Sequence, residues 1–237
     1  SWERMKILTI IPARGGSKGI KLKNLSKING KPLVAFSIEH SLASKLINRT
    51  IVSTDNEEIA KVSEEYGAEI PIFRSKELAG DNILDLPVFE HMLTYLKEEE
   101  NYEPEIVVHL RPTSPYRKAE WVDSAIKLLI ENTSADSVRS VSEPSQHPYR
   151  VFEIKNKYLH PLMNERHPEP YLLRRQDLPK MYYYNCVIDV TKPSTIFNKK
   201  SMTGDKMLPY IMKPEDSIDI DKPMDLEFAK FFLKRRV

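Results

Sequence analysis

KILTIIPARGGSKGIKLKN, residues 6–24, sets an apolar run directly against a glycine-rich basic turn. Residues 6–12 are continuously apolar after Lys6 save for one threonine, the pattern of a strand buried on both faces of a parallel sheet. In the turn, Gly15, Gly16 and Gly19 let backbone N–H groups approach an anion closely. Ser17 adds a hydroxyl, and Arg14, Lys18, Lys21 and Lys23 add positive charge. These groups suit a triphosphate and the charge that builds on a leaving pyrophosphate. The GxxxxGK[ST] spacing of a Walker loop is missing, as is the GxGxxG of a dinucleotide fingerprint.

Outward from this stretch, strand and helix patterns alternate. PLVAFSIEHSLAS reads as a helix with Leu33, Phe36, Ile38 and Leu42 on its apolar side, and RTIVSTD (49–55) as a second strand. NEEIAKVSEEYGA spaces Ile59, Val62 and Tyr66 for a helix that Gly67 stops. AEIPIFRS (68–75) offers a short third strand, LPVFEHMLTYLKEEE another helix, EIVVHL (105–110) a fourth strand. WVDSAIKLLIEN is a further helix, and SADSVRSVS a returning strand. This order predicts an α/β domain with a mainly parallel central sheet and helices on both faces. Its ligands would gather beyond the carboxyl ends of the strands. Three polar motifs stand there: 14–24, Asp55 and 111–117.

The rhythm breaks over about 143–180, a stretch rich in proline, arginine and aromatics with three histidines. It reads as a lobe inserted in a single domain spanning 5–237, its extended Tyr, Phe and Arg segments suited to an interface. Thirty-six Lys and Arg against thirty-four Asp and Glu leave a net charge of +2. That balance, without a recognised binding module, excludes a nucleic-acid binder as the expected class, even with the aromatic run 182–184. One cysteine, Cys186, excludes an internal disulfide framework and reads as a structural thiol. No apolar run nears the roughly 20 residues that span a bilayer, and the residues before Met5 lack the apolar core of a signal peptide. The expected setting is the cytoplasm. The six histidines show no metal-binding spacing; His40, His91 and His109 read as structural, His147 and His167 as lying in the lobe.

Near the end, SIDIDKPMDLEFAKFF (217–232) alternates Ile218 and Ile220 with Asp219 and Asp221. In extended chain residues two apart face one side, so the carboxylates point together, an arrangement suited to Mg²⁺, a hard cation that shares oxygen ligands with phosphates. The competing reading makes Asp221 the cap of a helix starting near Pro223. Asp225 reads as structural in that helix, whose Met224, Phe228 and Phe231 or Phe232 would be buried.

Six segments carry a family resemblance: IPARGGSKGIKLKN (11–24), STDNEEIA (53–60), RSKELAGDN (74–82), LRPTSPYR (110–117), RRQDLPKMYYYN (174–185) and DID (219–221). In this order the sequence resembles the acylneuraminate cytidylyltransferases, or CMP-sialic acid synthetases, including those for legionaminic and pseudaminic acids. The resemblance implies a Rossmann-like nucleotide-diphospho-sugar transferase fold. It implies a reaction of CTP with a nine-carbon 2-keto acid sugar that yields the CMP-sugar and pyrophosphate. Ala13, Arg14, Gly15, Ser17, Lys23, Asn24, Arg74 and Arg111 would bind nucleotide, with Arg14 and Lys23 on the triphosphate. Asp219 and Asp221 would hold Mg²⁺, or Mn²⁺ in its place, and join Arg14 and Lys23 as catalytic groups. Arg174, Arg175, Gln176, Asp177, Tyr184 and Asn185 would form the sugar side. The family implies a homodimer, or a tetramer, with the lobe reaching into the neighbouring subunit, and neither nucleic-acid nor membrane partners.

Three departures lie near the sugar side: Arg111 where glutamine is frequent, Cys186 where glycine follows the asparagine, and Tyr184 before Asn185. The related enzymes for the eight-carbon acid KDO carry Asp-Glu-Pro where this chain has Arg-Pro-Thr-Ser-Pro. Two alternatives remain: a nucleotidyltransferase for another NTP, KDO or a sugar 1-phosphate, and a non-catalytic nucleotide-binding protein.

Overall fold

A computed structural model describes residues 4–236. Strand β1 (Ile7–Pro12) lies inside a six-stranded sheet, between β4 (Arg49–Ser53) and β5 (Ile106–His109), parallel to both. Beyond β5 come β9 (Tyr183–Thr191), β6 (Ser137–Ser142) and β10 (Met207–Ile211). Only β9 runs antiparallel, to both β5 and β6. The mainly parallel sheet expected from the alternation is therefore present, with one reversed strand in its middle.

The apolar run of β1 is explained by its two covered faces. Ile7 and Ile11 pack with Val34 and Ile38 of α1 (Leu33–Leu42), Ile59 of α2 (Glu57–Glu65) and Ile126 of α4 (Ala119–Glu131). Leu8 and Ile10 face the other way, onto Val88, Phe89, Met92 and Leu96 of α3 (Asp85–Glu100) and Ile196 of α5 (Pro193–Asn198). Each fully buried aliphatic or aromatic side chain contributes about 1.5–3 kcal/mol. No helix among the described residues is long and apolar enough to cross a membrane.

Two expected features differ. Residues 68–75 do not form a strand: Glu69 makes a single parallel bridge to Ile51. Pro71 lacks the N–H needed to extend that ladder. The helix α6 (Pro223–Lys234) turns Met224, Phe228 and Phe231 outward, each more than half exposed, and buries Ala229 and Leu233 against Ile28, Leu33, Ile218 and Ile220. Of the expected phenylalanines only Phe232 packs against this core, partly buried, because Ala229 and Leu233 occupy the rest of the contact.

The 143–180 stretch forms a hairpin of β7 (Phe152–Lys155) and β8 (Tyr158–Pro161), paired with each other and with no strand of the main sheet. Ile154, Tyr158 and Leu159 are exposed on it. The short pair β2 (Lys27–Ile28) and β3 (Lys31–Pro32) follows the glycine-rich loop.

At the opposite edge, the Asp136 carboxylate ties the loop before β10 to the start of β6, accepting from the N–H groups of Asp205 and Lys206 at 3.0 and 2.9 Å. Gly204 packs on this carboxylate at φ +63°, where an added Cβ would stand 2.5 Å from Asp136. Gly204→Ala is expected to destabilise the protein by about 2 kcal/mol, measured by urea denaturation; a change within about 0.5 kcal/mol, the range of neutral surface substitutions, would contradict the packing described.

Candidate active site

A cleft of about 560 Å³ opens beyond the carboxyl ends of β1 and β5 and meets the Asp219–Asp221 segment. The glycine-rich loop forms one wall. Ala13 extends the sheet pairing by donating to the Ser53 carbonyl at 2.8 Å, and Gly15 N–H donates to Asp55 at 2.8 Å. A Cβ on Gly15 would meet the Asn56 Cβ at 2.9 Å, so that glycine is needed for loop packing. Asn56 itself caps α2 by accepting from Ile59 N–H. Ser17 donates to the Ile20 carbonyl and accepts from Lys23 N–H, and Asn24 Nδ2 donates to the Arg14 carbonyl at 2.9 Å. The polar groups of Ser17 and Asn24 thus shape the loop. The Arg14 side chain donates to Asp81 at 2.7 Å, and Lys23 Nζ stands 3.8 Å from Asp221.

Arg74, nearly buried, closes the β4 side by donating to Ser53 Oγ and the Ser53 carbonyl at 2.9 and 3.1 Å. Burial lowers its pKa to about 10 against the opposing pull of Asp55 and Asp85, so it stays cationic at neutral pH.

Across the cleft, Ile218 and Ile220 are buried and Asp219 and Asp221 alternate with them, as the spacing predicted. Ile220 N–H donates to the Thr113 carbonyl at 2.9 Å, pinning the pair to the turn after β5. Asp221 does not cap α6. Asp225 does the closing work, accepting from Asp221 and Lys222 N–H at 3.0 and 2.8 Å, the structural role expected of it. Burial first, then the charge of Asp221, raises the Asp219 carboxyl above its usual range. Two convergent carboxylates fit a hard divalent cation that draws its other ligands from phosphate and water. Among the described residues no group of three or more His, Cys, Asp or Glu side chains gathers into a candidate metal site.

Arg111 also faces the cleft, donating to Asp189 and, at 3.2 Å, to the Cys186 carbonyl; its other terminal nitrogen reaches the Tyr184 hydroxyl at 3.0 Å. Burial opposes its charge, but Asp189, Tyr184 and Asp85 outweigh burial and raise its pKa above the ordinary arginine value. Cys186 stands at φ +62°, a backbone that favours glycine. It lies in a bulge of β9 against β6, where Ser140 Oγ accepts from Val187 and Ile188 N–H. Burial raises the thiol above its usual range, consistent with a structural cysteine.

The remaining expected sugar-side residues are not gathered here. Asn185 is buried and spent on Ser140 and Ser142, beneath the surface. Arg174, Arg175, Gln176 and Asp177 are exposed in the 143–180 stretch, with Arg174 paired to Asp177 at 2.7 Å. Arg175 lines a separate groove of about 590 Å³ with Glu143, His147, Arg150 and Lys180. Conversely, Asp81, Asp85 and Asp189 belong to the cleft or its supports without having been singled out from sequence, and His109, read as structural, lines the cleft. Asp189, inside the apolar VIDV, has a signal only once its strand is known to be buried.

A family model described as Cytidylyltransferase matches residues 8–205. The chain is 33% identical to a pseudaminic acid cytidylyltransferase of Campylobacter jejuni, over 97% of each chain. It is also 33% identical to an N-acylneuraminate cytidylyltransferase of Escherichia coli, over 95% of this chain but 52% of that relative. Among solved structures, a CMP:2-keto-3-deoxy-manno-octonic acid synthetase complexed with CTP superposes with a TM-score of 0.73 at 15% identity, covering 98% of this chain and 100% of the other. This chain belongs to the cytidylyltransferase family. It is a nucleotidyltransferase enzyme with the fold expected from its motifs.

Because the folded state raises the Asp219 pKa, its ionisation costs stability as pH rises through that value. Asp219→Asn is therefore expected to raise the melting temperature in EDTA at pH 7, with the gain vanishing as pH falls below the ordinary carboxylate range. Equal melting temperatures at pH 7 would contradict the crowding of the pair.

Proposed function

We propose that this enzyme transfers CMP from CTP to a nine-carbon 2-keto acid sugar of the sialic, legionaminic or pseudaminic type. The observation that carries the reading is the meeting of the cationic loop, with Arg14 and Lys23, and Asp221 in one cleft, with Asp219 two residues before it on the same segment. The names of the relatives support the acid-sugar class and leave the particular sugar open. A triphosphate on the loop exchanges the Arg14–Asp81 contact for phosphate oxygens and gains Lys23 and the loop N–H groups. The anomeric hydroxyl attacks the α phosphorus in line: an oxygen–phosphorus bond forms, the bond to the β-phosphate oxygen breaks, the hydroxyl loses its proton and pyrophosphate leaves. Arg14 and Lys23 stabilise the charge that moves onto pyrophosphate. Mg²⁺ held by Asp219 and Asp221 would supply charge neutralisation at the α phosphate.

The sugar side is completed by a second copy of the chain. The exposed apolar hairpin Phe152–Pro161 suits a partner surface, and the adjoining exposed Arg174, Arg175, Gln176 and Asp177 stand clear of their own cleft, free to enter another. The enzyme works in this reading as a homodimer in the cytoplasm.

With Mg²⁺ and CTP, pyrophosphate release is expected only with a nine-carbon acid from a panel of N-acetylneuraminic, legionaminic, pseudaminic and KDO acids. Replacing Asp219 and Asp221 together by Ala is expected to remove most turnover without unfolding. Release with another nucleotide and a sugar 1-phosphate would move the enzyme to a different nucleotidyltransferase reaction. Mixing the folded Asp219→Ala/Asp221→Ala and Gln176→Ala/Asp177→Ala variants is expected to restore about a quarter of native activity, since half the dimers are mixed and each holds one intact site. No recovery in mixtures shown to exchange subunits would contradict the shared site.

A further inference from the structure

Strand register places three ionisable side chains in one buried row. His109 of β5 and Arg139 of β6 are both the direct partners of Asp189 on β9. All three are at least nine-tenths buried. Asp189 pairs with Arg139 at 3.2 Å and with Arg111 at 2.5 Å, and the Tyr184 hydroxyl donates to it. Two residues beyond His109 on the chain, Arg111 carries the row into the cleft, where its side chain is 21% exposed. His109, 3.8 Å from Asp189, is neutral: burial first, then Arg111 and Arg139, hold its pKa well below the ordinary value.

The charges in this row do not balance. Behind Arg111, the buried Arg117 binds only neutral groups: the Val187 and Arg111 carbonyls, Ser37 and His40. Its pKa, lowered to about 9 chiefly by burial, leaves it charged at neutral pH. Arg111 and Arg139 thus share the one buried carboxylate of Asp189, Arg117 stands behind them without a carboxylate partner of its own among the described residues, and Asp85 lies at the rim 3.5 Å from Arg111. A buried surplus of cations is costly unless an anion completes it. The surplus reaches the cleft at Arg111, beside the Tyr184 hydroxyl.

We propose that Arg111 recognises the carboxylate of the acid sugar, and that Asp189 is the positioning residue that aims it, with Tyr184 closing the fork. This rests on the proposed acid-sugar reaction and moves Arg111 from the nucleotide to the second substrate. Asp189 and the Cys186 carbonyl hold one terminal nitrogen of Arg111 and the Tyr184 hydroxyl holds the other, and the guanidinium donors not spent on them are left for the substrate. Arg139 pairs with Asp189 from the β6 side at 3.2 Å.

The test is steady-state pyrophosphate release with the active acid sugar and with its methyl ester. Native enzyme is expected to prefer the acid. Arg111→Gln is expected to raise KM for the acid about tenfold or more, the loss typical of a removed charge-assisted contact, with KM for CTP little changed and the preference over the ester lost. Arg111→Lys should recover part of that preference. Asp189→Asn, similar in shape, should shift KM for the acid in the same direction as Arg111→Gln, with a melting curve showing that it is folded. If Asp189→Asn does not fold, the Arg111 variants, less buried, decide. Unchanged acid-over-ester preference in Arg111→Gln, or a loss confined to KM for CTP, would overturn the inference while leaving the proposed reaction standing. No turnover by the native enzyme with any acid would overturn the proposed reaction and this inference with it.

Discussion

The reversed strand β9, wedged between β5 and β6, is the constraint on which the rest of the molecule depends. Because it runs antiparallel, its beginning rather than its end lies at the edge of the sheet where β1, β4 and β5 terminate. Tyr184 and the Cys186 bulge therefore arrive beside Arg111, and the glycine-rich loop, Arg74 and the Tyr184 corner share one edge. The same strand carries Asp189 to the middle of the sheet, opposite partners on both sides. A parallel strand in that position would have sent its amino-terminal residues to the far edge and left Arg111 without its counter-charge.

The cost of this arrangement is visible in the local strain. Asp189 and Arg139 sit in a sheet interior where ionised groups are tolerated only when paired. Cys186 adopts a left-handed backbone so that the β9 bulge can offer its carbonyl to Arg111. Asp219 is crowded against Asp221. These are the places where a protein shaped for stability alone would carry different residues. Asp189 and the Cys186 carbonyl reach the cleft through Arg111, and Asp219 lies two residues before the cleft residue Asp221.

Much of the fold was legible because parallel strands advertise themselves. KILTIIP has no polar face because both of its faces meet helices, and the spacing of Ile59, Val62 and Tyr66 marks a helix with one buried side. The glycine-rich loop and the Asp219–Asp221 pair were legible because their residue types and spacing lie within a short run of sequence, although Asp55, Asp81 and Thr113, far along the chain, fix them in place. Three features were not. Residues 68–75 carried strand-like isoleucines, but Pro71 limited them to one bridge. The buried side of α6 depended on Ile28 and Leu33, which lie far along the chain. The Asp189 row exists only through strand register, and register is a property of the folded sheet that alternation alone does not disclose.

The central claim is that a nucleoside triphosphate bridges the Arg14–Lys23 wall and the Asp219–Asp221 wall of one cleft. Crystals grown with a nonhydrolysable CTP analogue and Mn²⁺, measured for the anomalous signal of manganese, test it most directly. The account predicts an anomalous peak between Asp219 and Asp221 with the triphosphate lying along residues 14–23. A triphosphate bound elsewhere, or manganese on it with neither carboxylate as a ligand, would contradict it.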